Sequence, residues 1–209
     1  MLAATVLALV SACSKGSPLP SEYHGGLVLD EALNSAQDVA NPNPELAAQL
    51  VELKEFSVKY HSLSTAQGDY PVLFVVPELT NPDGCISDRT MGGMGYHYAG
   101  KFPIDDHVNY LEPELLVFAP NNGPHNSPDG ATRSRFAGFD YFVPYSMVWP
   151  ENGTPPTSAD LGLAIEPAIP FQKSRFGGWM FHIWLWAHNP DGMFANWNSA
   201  VPLCPNSVY

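Results

Sequence analysis

Leu46, Leu50, Leu53, Phe56, Tyr60 and Leu63 recur at intervals of three or four residues, the spacing that lines one face of an α-helix. Asn43 ahead of Pro44 supplies a cap followed by a first-turn proline, and Gly68 supplies a stop. A shorter helix is predicted over Leu29 to Val39. Beyond Tyr70 the period changes. Tyr70–Val76, Glu114–Phe118, Phe136–Val143 and Trp179–Ala187 are β-branched and aromatic runs, each bounded by Pro, Gly or Asn. One helix followed by successive strands predicts an α+β fold, with the amphipathic helix on one face of a curved antiparallel sheet. The polar, proline-rich stretches Asn121–Gly130 and Pro150–Gly162 read as long, mobile loops at the sheet's rim.

Alternation then sorts side chains between the two faces of that sheet. Phe181, Ile183, Leu185 and Ala187 share one face, the natural seat of the helix, and His182, Trp184, Trp186 and His188 share the other. Phe136, Gly138, Asp140 and Phe142 form a row with one carboxylate among apolar neighbours, and Glu114 has the same standing beside Leu116 and Phe118. His97 lies in Met94-Gly95-Tyr96-His97-Tyr98, directly after a glycine-rich turn whose use is to let backbone approach closely.

If these strands are neighbours, His97, Glu114, Asp140 and His182 converge. Two imidazoles with a carboxylate suit zinc, iron or copper, and His97, Glu114 and His182 are the expected metal ligands. Tyr98, Asp140, Trp184, Trp186 and His188 are the expected lining of a small-molecule pocket. Without metal, His97 and Glu114 would serve as an acid–base pair of a hydrolase or isomerase. Set against both is the plainer reading, in which a histidine in an apolar strand is a hydrogen-bonded core residue and the aromatic face is a second core layer of a non-catalytic interaction protein. No G-x-S-x-G, H-E-x-x-H or P-loop motif occurs.

Composition narrows the partners. Hydrophobic residues make up 45% and charged residues 14%, which excludes a disordered chain. A net charge of -12 removes nucleic acid as a partner, because phosphate binding needs clustered Lys and Arg. Twenty-one prolines and 17 glycines favour turns over a helical bundle.

Met1 to Cys13 adds an address. An apolar run from Leu2 to Val10 ends in the small pair Ser11-Ala12, and Cys13 follows. The run is too short to span a bilayer, which takes roughly 20 apolar residues. It resembles the signal peptide and lipobox of bacterial lipoproteins, which implies lipid on Cys13 and a place in the cell envelope. Membrane attachment would then come through that lipid alone. Residues 1–12 are the expected export signal, 13–26 the lipidated cysteine and tether, and 27–209 a single domain. With Cys13 lipidated, Cys85 and Cys204 remain to form a structural disulfide in an oxidising compartment. Catalysis by Cys85 is the alternative.

Several segments carry a wider resemblance: Lys59-Tyr60-His61, Cys85 with Met94-Gly95-Tyr96-His97-Tyr98, Pro113-Glu114-Leu115-Leu116, Tyr141-Phe142-Val143-Pro144, and His182 through Trp186 to Asn189-Pro190-Asp191-Gly192-Met193-Phe194, ending Trp197-Asn198 and Cys204. In these the chain resembles an uncharacterised family of bacterial exported proteins with no established activity. The resemblance implies a shared fold and the Cys85–Cys204 pair. It also implies Glu where this chain has Asp140, an acid of shorter reach.

Overall fold

The computed structural model describes residues 43–75, 83–121 and 134–204. The export signal, Cys13 with its tether, the helix expected over Leu29 to Val39 and nearly all of the Asn121–Gly130 loop lie outside the described residues. Among those residues no helix is long and apolar enough to cross a membrane.

The predicted helix forms in two pieces. Helix α1 spans Pro44–Ser57, with the Asn43 side chain accepting from the Leu46 amide. A 3-10 turn over Val58–His61 follows, and α2 spans Leu63–Asp69, capped by Ser62. The break at Ser62 turns the chain and the stripe carries on past it: Leu46, Leu50, Leu53 and Tyr60 before it are buried, and Leu63 after it packs half-buried on the same core.

Seven strands follow, all antiparallel to their partners: β1 Val72–Leu73, β2 Ile86–Asp88, β3 Gly92–Ala99, β4 Leu115–Pro120, β5 Ser134–Pro144, β6 Gln172–Ser174 and β7 Gly178–Ile183. Their order is β1-β3-β4-β5-β7-β6, with β2 also pairing to β3. The fold is α+β: a helical layer on an open, seven-stranded antiparallel sheet. Tyr96, Tyr98, Leu116, Phe118, Phe139, Tyr141, Phe181 and Ile183 meet the helices in the main core.

Strand β3 runs straight through the glycines that read as a turn. The close approach is real: a Cβ on Gly92 would stand 2.5 Å from the Asn198 carbonyl, and one on Gly93 would stand 2.6 Å from Val201 Cγ1. The β4–β5 ladder slips between Val117 and Phe118, leaving Ala137 as an extra residue. That bulge moves Phe136 onto the helical side, where it packs on Tyr60, so Phe136 does not share a face with Asp140.

The opposite face is also covered. Ile86, Met94, Ala99, Leu115, Phe142 and Met180 form one buried group. Val117, Ala119, Ala137, Trp184, Ala187 and Val201 form another. The disulfide between Cys85 and Cys204 is present, closing a separation of 119 residues. The Pro150–Gly162 segment is tied down rather than loose at a rim. Leu161 is buried and its carbonyl accepts from the Tyr110 amide, while Thr157 bridges Pro170.

Candidate metal centre

His182 and Asp140 are directly opposed on β7 and β5. His97 comes from β3, two strands from Asp140, and the strand between is β4. Opposite His97, β4 carries Val117, whose own partner on β5 is Gly138. A small side chain followed by none leaves room for the His97 ring to reach across.

The three groups meet. His97 Nε2 lies 3.3 Å from His182 Nε2. Asp140 Oδ2 lies 3.7 Å from His97 Nε2 and 3.8 Å from His182 Nε2. Their ligand atoms all fall within 4.8 Å of one another. The residues are sealed, with His97 1% exposed and Asp140 and His182 0%. Trp184 stacks on His182 with ring centroids 5.5 Å apart and an interplanar angle of 10°.

Burial sets the protonation of each group, because a low dielectric disfavours the charged form. It lowers His97 to about 4, against a small opposing effect of the Gly95 backbone. It holds His182 well below the ordinary imidazole value, helped by the adjacent His97 and opposed by the Asn196 side chain. It raises Asp140 well above the carboxylate range, with the Phe181 backbone pulling the other way. None of these flanking groups completes a hydrogen bond: His97 Nδ1, His182 Nδ1, both Asp140 oxygens and Asn196 Oδ1 are buried without a partner. Orphaned buried polar atoms are costly, on the order of 1–3 kcal/mol each.

A cation among the three converging atoms would give Asp140 Oδ2 a partner and replace the contact between the two Nε2 atoms. The triangle defined by the three distances has its equidistant point about 2.1 Å from every corner, against about 2.0–2.2 Å for nitrogen and carboxylate ligands of zinc. Gly95 and Asn196 stand where each Nδ1–H of a metal-bound imidazole would need an acceptor.

The expected site residues fall on both sides of the sheet. His97 and His182, both expected as metal ligands, meet, and the carboxylate beside them is Asp140 in place of Glu114. Glu114 Oε2 accepts from the Phe142 amide at 3.2 Å, and no hydrogen bond joins it to His97 among the described residues. Burial raises Glu114 to about 8, opposed by backbone amides and reinforced by Asp140. Tyr98 lies in the helical core against Phe118. Trp184 is at the site, but Trp186 is on the helical side, its Nε1 donating to Ser57 Oγ at 2.9 Å. The cause is a tight turn directly after β7, where the Leu185 amide donates to the Ile183 carbonyl and breaks the alternation. Ala187 moves the other way, into the group beneath the sheet. His188 is exposed, its carbonyl accepting from the Asn198 side chain. Asn196 escaped notice because an amide in an irregular segment carries no periodic signal. Compared with known proteins, this chain matches no family model, no curated protein and no solved structure.

Proposed function

We propose that this chain is a non-catalytic metal-binding protein of the bacterial cell envelope, lipidated at Cys13, in which His97, Asp140 and His182 hold one divalent transition-metal ion. The observation that carries the reading is the convergence of three ligand atoms from three strands, His97 Nε2, His182 Nε2 and Asp140 Oδ2, the last with no hydrogen-bond partner. The residue types agree with it: burial keeps both imidazoles neutral, as a transition metal requires, and binding the ion would displace the proton that burial holds on Asp140. Total burial supports an ion that ties β3, β5 and β7 together over one that meets a substrate. A small molecule would have to displace Trp184 and its neighbours to reach it, so the structural role is the reading we favour. The disulfide is consistent with the oxidising compartment expected from the Met1–Cys13 segment.

Elemental analysis tests the metal. Purified protein refolded with a mixture of zinc, iron and copper is expected to retain on the order of one ion per chain. A His97→Ala/His182→Ala variant should retain less than a tenth of that. Wild-type protein that emerges metal-free, or a variant that binds equally, would remove the reading.

A further inference from the structure

The spacing of the three donors points beyond a metal in general to one kind of ion. Resting on the reading above, we infer that the site is built for four-coordinate zinc(II), with His97, Asp140 and His182 as three ligands and a small non-protein ligand as the fourth.

The separations of 3.3, 3.7 and 3.8 Å subtend angles of roughly 105–130° at an ion about 2.1 Å from each donor. Summing to 360°, they are the angles of an ion in the plane of the three donors; a fourth ligand would draw it about 0.5 Å out of that plane, to about 2.15 Å from each donor with angles of roughly 100–124°, between trigonal and tetrahedral. An octahedral ion with ligands at the same length holds adjacent donors near 90°, about 3.0 Å apart, closer than any pair here. Octahedral ferrous iron or manganese would therefore need the three donors to draw together by about 0.3–0.8 Å. The sheet has little slack. Gly138 has no side chain, and a Cβ there would run into the Ile183 carbonyl, so β5 and β7 are already in close backbone contact beside the site. Square-planar copper(II) fits no better, because it requires the same right angles between neighbours.

Donor chemistry agrees. Two imidazoles exclude the all-oxygen coordination that calcium and magnesium prefer. The trio contains no thiolate or thioether, the soft ligands that select copper(I). Two histidines and one carboxylate with an open position serve both zinc and ferrous iron, so between those two the donor spacing decides. Asn196 is half-buried with its Oδ1 enclosed and unpartnered beside His182, where it would accept from the Nδ1–H of a metal-bound ring and orient it.

Cobalt(II) reports the geometry directly, because its visible absorption is intense in four-coordinate sites and weak in six-coordinate ones. Full-length protein is stripped by chelator while unfolded with its disulfide intact, then refolded in cobalt(II), alone or with one equivalent of zinc. Intense visible bands that zinc abolishes at one equivalent are expected. A companion Asn196→Ala variant should keep its fold and bind zinc about 10–100-fold more weakly. Weak six-coordinate bands, or an unchanged affinity in Asn196→Ala, would overturn the zinc assignment while leaving metal binding in place. Failure to bind cobalt or zinc at all would overturn the metal reading beneath it.

Discussion

Burial moves His97 and Glu114 in opposite directions, and that opposition sets how the metal-free protein responds to pH. His97 is lowered from 6.5 to about 4, so the folded chain keeps it neutral while the unfolded chain takes up a proton below pH 6.5. Its contribution, like that of His182, is therefore lost as pH falls from 6.5 towards 4. Glu114 is raised from 4.5 to about 8, so the folded chain holds a proton that the unfolded chain releases. That contribution is lost as pH rises from 4.5 towards 8, and Asp140 acts in the same sense. Stability of the metal-free protein should decline above pH 6.5, at about 1.4 kcal/mol per pH unit for each proton involved. Glu114→Gln removes one share of that slope while keeping an acceptor for the Phe142 amide. Thermal unfolding of both proteins between pH 6 and 9 checks this, and parallel curves would contradict it. The sequence exposed both residues as carboxylate or imidazole in apolar rows. Which acid joined the histidines was decided by cross-strand register, information that no single strand contains.

At the scale of elements, alternation worked wherever a strand stayed regular and failed where the backbone departed from a flat ladder. From Phe181 to Trp184 each side chain falls on the expected face. The tight turn after Ile183 then sends Trp186 to the helix, and the bulge at Ala137 does the same to Phe136. Strand β3 was concealed because glycine is depleted in strands, although the packing that demands glycine there was legible as a need for close approach. The placement of Trp186 is testable. Trp186→Phe keeps the ring but leaves Ser57 Oγ, which is wholly enclosed, without its donor. A loss of about 1–3 kcal/mol is expected, lowering the melting temperature by several degrees with metal content unchanged. Loss of metal from this variant would place Trp186 at the site after all.

Across the whole molecule, the sheet is buried on both faces and the C-terminal segment is held over one of them. Gly93 bridges Asn198, Val201 packs with Val117 and Trp184, and the Cys204 amide donates to Ser87 Oγ. The disulfide fastens the end of this strap. Replacing Cys85 and Cys204 together with serine should cost about 4–5 kcal/mol on the loop-closure model, given the separation of 119 residues. On the metal reading, the same variant should exchange its ion with added isotope faster than the parent. Equal exchange rates would show that the strap does not govern access.

That enclosure bears on how the protein matures. A donor trio at 1% exposure or less has no doorway in the finished fold, so any ion it holds would have to be taken aboard while the polypeptide is still collapsing. On the metal reading, a chain that folds where its ion is scarce would stay empty. Two cells differing in that supply during synthesis would make, from one gene, two lasting populations of the same molecule.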